Sequence, residues 1–297
     1  SGEVSDAGHN WADGAFANDY VERTWPPAYG NRNDDDEVLT GYGAGVASGG
    51  YMWDAARRAN VSFRDYGEMA LMPPIEGHVA ATAPSLGDRF DPHYVGWDLG
   101  YSDIERYKEW KREFDHFVAN GTLPQLEYMW LPNDHTAGTR PGMLTPAAYI
   151  ATNDYAVGLI VEAISHSKVW PSSAIFITED DAQDGADHVS DQRSTLYIAS
   201  PYAKGGTIHE HFSTVSILRS IELVLGMKPL STYDATAAPL YADFGTTANL
   251  EPFDAISPKI DVTTRNAQAK RAGAISANWD LRGPDRLYPA VSVTRRR

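Results

Sequence analysis

A short apolar strand that ends in a dense group of acids is the feature that most constrains this chain. Residues 174–177 read Ala-Ile-Phe-Ile, and the loop that follows contains five acids and a histidine: Glu179, Asp180, Asp181, Asp184, Asp187 and His188. In an open α/β sheet, ligands bind at the carboxyl ends of the strands. Clustered carboxylates repel one another unless a cation or a shared proton balances them. The pattern therefore predicts a divalent cation site, and the imidazole extends the choice to zinc or iron.

Two other interpretations of this loop stay open. Acid-rich loops are often no more than solvated turns. A calcium loop of the EF-hand type would use Asp180, Asp184 and Gly185. However, Ala182 stands where that loop needs its next ligand, and Asp191 replaces the bidentate glutamate.

The composition excludes several classes of protein. Of the 297 residues, 42% are hydrophobic and 11% aromatic, which is typical of a globular chain. The formal net charge is −15, and residues 295–297 form the only basic cluster, so nucleic acid is not an expected partner. No apolar run could span a bilayer as a transmembrane segment, and without cysteine any metal must be held by oxygen and nitrogen ligands. The chain begins Ser-Gly-Glu-Val without a signal peptide, which predicts a processed chain or a fragment.

Strand and helix patterns alternate along most of the chain. Hydrophobic periodicity and capping residues predict helices over 51–60, 102–119, 145–166 and 213–225, and strands over 61–66, 126–130, 174–178 and 196–199. Residues 1–50 are rich in glycine and aspartate, and residues 34–37 and 41–50 within them are predicted to be loop. Residues 68–100 are rich in proline and glycine, which predicts a long surface excursion. The alternation predicts an α/β architecture with parallel strand pairing.

Three loops of this predicted sheet carry side chains of the kind that bind metals. Asp134 and His135 follow the 126–130 strand, the acidic loop follows the 174–178 strand, and His209 and His211 precede the last helix. Because the carboxyl ends of parallel strands share one edge of a sheet, we expect these loops to lie close together. A flexible terminus is the ordinary interpretation of the first residues, yet Ser5 becomes a candidate nucleophile beside a metal ion.

Four long segments resemble the bacterial phosphoesterase family of the alkaline phosphatase superfamily, which includes phospholipase C and acid phosphatase relatives. They are residues 1–26, 131–167, 174–204 and 213–240. The resemblance implies an α/β fold with an alkaline phosphatase-like, mostly parallel sheet flanked by helices. It implies a metal-dependent hydrolase of phosphate esters. We expect the phosphoesterase domain to span residues 1–250 and a partly irregular C-terminal extension to span 251–297.

The resemblance also implies roles for single residues. Ser5 stands at the position of the nucleophile, and His9 follows it as a substrate-binding residue, with Arg140 as a phosphate clamp or an ordinary surface arginine. Asp187 and His188 would orient water or protonate the leaving group. The implied metal ligands are Asp180 and Asp181, together with Asp134, His135, His209 and His211. The ion would be zinc, calcium, manganese or iron.

One departure from the family pattern concerns the sheet. Family members carry an upstream strand that ends in Glu-Asn and supplies metal ligands, so the resemblance predicts that this chain lacks an N-terminal, central strand. Two alternatives follow for function: a non-catalytic or truncated phosphoesterase-like binding domain, or a sulfatase or phosphonate-type hydrolase on the same fold. The expected substrate is a small phosphate ester or a phospholipid. Fusion to a β-propeller in longer relatives and a periplasmic or secreted location are further implications.

Overall fold

A pair of parallel strands, covered by helices on both faces, forms the centre of the fold. The computed structural model of the chain describes residues 5–23, 43–71, 80–180 and 194–267. Its helices are α1 Ser5–Gly14, α2 Met52–Ala59, α3 Asp103–Asn120, α4 Pro146–Ser165, α5 Thr214–Leu225 and α6 Thr232–Thr236, and residues 19–23 are also helical. Its strands are β1 Phe63–Tyr66, β2 Ala70–Leu71, β3 Ala80–Ala81, β4 Leu126–Met129, β5 Ile175–Thr178 and β6 Leu196–Ala199.

Local signals define the ends of the two longest helices. The Ser102 side chain caps α3 by accepting a hydrogen bond from the Ile104 amide, and Gly121 ends the helix in the left-handed region, with φ of 68°. Thr145 caps α4 in the same way, accepting from the Ala148 amide, and proline occupies the first helical position. The predicted helices and strands are confirmed with boundaries shifted by at most two residues at either end.

Alternate residues of β1 and β4 point to two separate hydrophobic cores. The strands pair in parallel, with Phe63 opposite Leu126. Phe63 and Leu126 pack with α2 and α5, whereas Tyr66 packs with Trp110 of α3 and with other buried aromatic and aliphatic side chains, including those of α4. Helices therefore cover both faces of this pair, which confirms the predicted α/β fold.

The remaining strands pair differently. β5 and β6 are antiparallel, with Ile175 opposite Ala199, and β2 and β3 form a short antiparallel pair. The expectation of parallel pairing is therefore wrong for β5 and β6. No helix was predicted between these two strands, and strands joined without a crossover helix are commonly antiparallel neighbours.

Helix α1 lies in an N-terminal segment for which the sequence predicts no helix. Two of its ten residues are glycine, which weakens intrinsic helix formation. Burial holds it in place: Ala7 and His9 are nearly inaccessible, and the Asn10 side chain donates to the Gly45 carbonyl at 3.1 Å. Tertiary packing thus overrides the local preference for loop.

The segment between β1 and α3 is also more buried than predicted. Met69, Ala70, Leu86 and Tyr94 are at most 1% exposed, so the prediction of a surface excursion over residues 68–100 is wrong at these positions. Burial of this segment is tolerated because its backbone groups are hydrogen-bonded. For example, the Asp65 amide donates to the Arg89 carbonyl, and the Asp65 carbonyl accepts from the Asp91 amide.

The C-terminal described residues run along α4. The Phe253 amide donates to the Ser165 hydroxyl at 2.9 Å, and the Ala255 amide donates to the Glu162 carboxylate at 2.6 Å. Residues 251–267 contain an isolated bridge but no helix or longer strand. The division into domains at residue 250 stays a prediction. In the described part of the chain, none of the helices has the length and apolarity needed to cross a lipid bilayer.

Candidate metal centre

A cavity of about 1950 Å³ separates β4 from β5. Residues of both strands line it, and apolar side chains of α3, α4 and α5 close its sides. At the carboxyl ends of the two strands, its lining changes to polar and aromatic groups, namely His9, Asp13, Glu68, Trp97, Trp130, Asp134, His135, Glu179 and Asp180. The polar end of the cavity is therefore at the sheet edge where ligands are expected.

His9 occupies the middle of this polar end. Its Nδ1 atom lies 2.9 Å from Oε1 of Glu68, and its Nε2 atom lies 3.6 Å from Oδ2 of Asp180. Glu68 follows the end of β1 by two residues, and Asp180 follows the end of β5 by two residues. One imidazole thus connects α1 with the ends of two strands.

Asp13 and Asp65 bring further buried carboxyl groups to His9 and Glu68. Asp13 lies one helical turn after His9 on α1, and one ligand atom from each of His9, Asp13 and Glu68 falls within 4.8 Å of the other two. These three residues are at most 5% exposed, and Asp65 is 1% exposed. Oδ2 of Asp13 and both carboxyl oxygens of Asp65 have no hydrogen-bond partner among the described residues. Buried carboxyl oxygens without partners are costly, and either a bound cation or protonation of the carboxyl groups would offset that cost.

The four groups perturb one another's ionisation. Burial acts to lower the pKa of His9, but the negative charges of Glu68 and Asp180 raise it well above its usual value. Burial and the charge of Glu68 raise the pKa of Asp13 well above its usual range, and the same two causes raise the pKa of Asp65. Burial opposes ionisation of Glu68 as well, yet the charge of His9 and hydrogen bonds from His9 and Asp13 lower its pKa overall. In the absence of a cation, protons on His9 and Asp13 balance the charge of Glu68.

The donor set suits a divalent metal ion. Two ligands that each lie about 2.1 Å from one ion are roughly 3.0–3.6 Å apart, and the separation of His9 Nε2 from Asp180 Oδ2 falls at the upper end of this range. The hydrogen bond between His9 Nδ1 and Glu68 leaves His9 Nε2 available to coordinate an ion. The same hydrogen bond fixes the orientation of the ring, as carboxylates do beside metal-bound histidines. Imidazole and carboxylate ligands together fit zinc, manganese or iron.

Gly8 permits the close approach of α1 to the loop after β5. A Cβ atom at position 8 would lie 2.5 Å from the carbonyl oxygen of Asp180 and 2.7 Å from its carbonyl carbon. No larger residue fits without moving one of these backbones. The glycine therefore sets the distance between His9 and Asp180.

Asp134 and His135 lie at the same end of the cavity as predicted from sequence. They belong to a short 3₁₀ helix, Pro132–His135, that follows β4. Burial, followed by the charges of Glu179 and Asp180, raises the pKa of Asp134 to about 7. The His135 ring is exposed, and it meets the indole of Trp97 edge-on at 4.8 Å between ring centroids. Of the predicted site residues, the structure brings His9, Asp134, His135 and Asp180 together.

Other predicted residues lie elsewhere or outside the described part. His209, His211 and Arg140 are exposed and do not line the cavity. Ser5 begins α1, but its side chain is not among those described. Asp181, Asp187 and His188 lie outside the described residues. The roles assigned to these residues stay predictions.

Sequence reasoning missed Asp13 and Glu68. The signals were present, since Glu68 directly follows a predicted parallel strand, where ligands are expected. His9 and Asp13 are four residues apart, which places both on one face of a helix. Neither signal indicates a site when the N-terminus is interpreted as flexible and residues 68–100 as a surface excursion.

Comparison with known proteins identifies the chain's relatives at the level of the family. No curated protein matches it. A model of the Phosphoesterase family matches residues 30–228, which is more than half of the chain. Glu68, Asp134 and Asp180 lie within the matched residues, whereas His9 and Asp13 precede them. The chain therefore belongs to the Phosphoesterase family and is a hydrolase of phosphate esters.

Proposed function

We propose that the chain hydrolyses phosphate esters with the help of a divalent metal ion held between His9 and Asp180, with Glu68 orienting the His9 ring from its opposite side and Asp13 beside it. The observation that carries the proposal is the buried group of carboxylates around one imidazole, with carboxyl oxygens that lack partners among the described residues. The group lies at the ligand-binding end of a cavity, where a substrate can reach it. The predicted ligands Asp134, His135, Asp181, His209 and His211 remain candidates for completing the coordination.

Each reacting group has a candidate in the chain. A divalent ion supplies polarisation of a phosphoryl oxygen and lowers the pKa of a bound hydroxyl group. Ser5 is the proposed nucleophile, and its hydroxyl oxygen forms a bond to phosphorus while the bond from phosphorus to the leaving oxygen breaks. Water then hydrolyses the phosphoserine and regenerates the hydroxyl group.

The leaving oxygen needs a proton. Asp187 and His188 are the proposed source, as the sequence predicts. Arg140 remains the proposed phosphate clamp, and it lies on an exposed loop outside the cavity lining.

The proposed substrate is a small phosphate ester, with phospholipids as a narrower class. A panel of phosphate monoesters, phosphate diesters and sulfate esters separates this assignment from a sulfatase or phosphonate-type activity on the same fold. Turnover of sulfate esters alone would contradict it.

Metal content and turnover, measured on one sample, test the metal centre. We expect the purified protein to contain a divalent ion by elemental analysis and to hydrolyse 4-nitrophenyl phosphate or bis(4-nitrophenyl) phosphate, and to lose turnover after chelation. Glu68→Gln should lower metal affinity by 10- to 100-fold because it disturbs the orientation and basicity of His9. Glu222→Gln is the matched control, since it also removes a buried carboxyl group but lies outside the cavity lining. Equal metal affinity in wild type and Glu68→Gln would overturn the site.

The nucleophile is tested separately. Ser5→Ala should abolish turnover and phosphoenzyme formation but leave metal binding intact, whereas Ser173→Ala, a change in a loop before β5, should leave all three unchanged. Full turnover by Ser5→Ala would exclude Ser5 and leave the metal centre standing.

A further inference from the structure

A tryptophan stands exposed beside the candidate metal centre. Trp97 is 44% exposed, although tryptophan is among the side chains with most to gain from burial. It lines the same cavity as His9 and Glu68. Its exposure is therefore at the mouth of the site and not on an unrelated surface.

Trp97 belongs to a row of rings that leads to the metal centre. Its indole stacks on Trp130, with centroids 5.5 Å apart and planes inclined by 22°. Trp130 in turn meets the ring of His9 edge-on at 5.0 Å, and His135 meets Trp97 edge-on at 4.8 Å. A single ring therefore separates the exposed indole from a proposed metal ligand.

The loop that carries Trp97 is fixed by a buried arginine. Arg106 is fully buried, and it donates to the carbonyls on both sides of the tryptophan, Gly96 at 2.6 Å and Asp98 at 2.9 Å. It also donates to the carbonyls of Val95 and Tyr101. A surface loop rarely receives so many bonds from one side chain, and their effect is to hold Trp97 in one place.

Arg106 and its buried partner Asp103 also hold the loop that carries Asp134 and His135. Arg106 forms an ion pair with Asp103 at 2.9 Å, and the second oxygen of Asp103 accepts a hydrogen bond from the Asn133 amide at 3.0 Å. The Asp103 amide donates back to the Asn133 side chain at 2.9 Å. The network of Arg106, Asp103 and Asn133 therefore fixes the exposed indole relative to the loop next to the candidate metal centre.

We propose that Trp97, backed by Trp130, is a platform on which the leaving group of the substrate stacks, and that the preferred substrates are phosphate esters of flat aromatic alcohols. The proposal rests on the proposed function, because it places phosphorus at the metal centre. A further ring extends the Trp130–Trp97 stack in the parallel, offset arrangement that aromatic pairs prefer. Preorganisation of the platform by Arg106 spares the substrate the cost of ordering it. A puckered aliphatic ring of equal size cannot make the same contact.

Binding of phosphonates that are not hydrolysed tests the platform. The probes are phenylphosphonate, cyclohexylphosphonate, methylphosphonate and 2-(trimethylammonio)ethylphosphonate, the phosphonate analogue of phosphorylcholine, each titrated against the metal-loaded protein. We expect wild type to bind phenylphosphonate about ten-fold more tightly than cyclohexylphosphonate, a ratio in keeping with one stacking contact. Trp97→Ala should reduce this ratio to about one, and Trp97→Phe should retain part of it. Tyr241→Ala is the control, since Tyr241 is 73% exposed but does not line the cavity.

The outcomes separate the platform from the site. No preference for the phenyl ring in wild type, or a preference that survives Trp97→Ala, overturns the platform while the metal centre stands. If 2-(trimethylammonio)ethylphosphonate is the probe whose affinity depends on Trp97, the indole binds a cation and the aromatic substrate class is wrong. Failure of all four probes to bind overturns the proposed phosphate site, and the platform with it.

Discussion

The Nδ1 atom of His9 and the Oε1 atom of Glu68 are 2.9 Å apart, although 59 positions separate the two residues in sequence. The contact joins α1 to the end of β1, and the opposite side of the same ring faces Asp180 after β5. A second anchor holds α1 at this place, since the Tyr128 hydroxyl of β4 donates to the Ala12 carbonyl at 3.1 Å. The candidate metal centre is thus assembled by docking one helix onto the ends of the strands.

Gly8→Ala should loosen this docking. The new methyl group would lie 2.5 Å from the Asp180 carbonyl oxygen, so the helix and the loop must move apart. We expect a loss of about 1–3 kcal/mol in the free energy of unfolding, as for other overpacked sites, and weaker metal binding. Urea unfolding and metal titration measure the two effects.

Gly158→Ala is the matched control for that experiment. It lies within α4, where the added methyl group meets Ala255 at an ordinary contact distance of 3.5 Å. Because alanine favours the helix over glycine, we expect unchanged or slightly higher stability, by up to about 1 kcal/mol. Equal behaviour of the two variants would show that Gly8 does not set the His9–Asp180 distance.

Arg106→Leu should be strongly destabilising. The change removes five hydrogen bonds to the segment 95–103 and leaves the buried carboxylate of Asp103 without its cation. Breaking a buried ion pair from one side typically costs about 3–5 kcal/mol. Thermal or urea unfolding measures the loss, and Arg112→Leu, a change at a guanidinium 54% exposed, should stay within about 1 kcal/mol of wild type. A similar small effect at Arg106 would contradict its role in holding the Trp97 loop.

Glu222 should make stability depend on pH. Burial, then the hydrogen bond and charge of Asp234, raise the pKa of Glu222 to about 8. An unfolded glutamate titrates near 4.3, so between these two values the folded state binds more protons and stability falls as pH rises. The stabilisation is fully present below about pH 4.3 and is lost through pH 8. Glu222→Gln keeps a donor towards Asp234 and should abolish this loss, which we expect to be on the order of 3 kcal/mol.

Urea unfolding at several pH values between 5 and 9 measures that dependence. Glu251→Gln, at an exposed glutamate, should follow the wild-type curve. If Glu222→Gln also follows it, the carboxyl group of Glu222 ionises in the folded protein near its ordinary pKa, and the assignment is wrong.

Local signals and long-range packing account for what could and could not be predicted. Ser102, Gly121 and Thr145 act within one helical turn, so the bounds of α3 and α4 follow from sequence alone. The position of Asp134 and Asp180 just after predicted strands also follows from sequence, and both line the same cavity. Glu68 could not be assigned to the site from sequence, because its partner His9 lies on helix α1. The glycines of α1 weaken the sequence signal for a helix, and burial stabilises it. The role of Trp97 could not be predicted from sequence either. Only the hydrogen bonds from Arg106, nine positions later, distinguish its loop from an ordinary surface turn.

A gap separates the facing edges of β4 and β5. Among the described residues, β4 pairs only with β1 and β5 pairs only with β6. Consecutive residues of both strands line the cavity. Because alternate side chains of a strand point to opposite faces, the cavity is bordered by the edges of the strands and not by one face of a sheet. The volume of about 1950 Å³ exceeds the 300–1000 Å³ usual for a small-molecule site, and both strands end at the metal centre, so they run in the same direction.

Hydrogen exchange of single β4 amides tests whether that edge is open. The Leu126 and Trp130 amides donate to carbonyls beside β1, at 3.0 Å each, so we expect them to be protected. Alternation along a strand directs the Glu127 and Met129 amides to the cavity, where we expect exchange at least 100-fold faster. Protection of Glu127 and Met129 equal to that of Leu126 and Trp130 would mean that this edge of β4 is already paired.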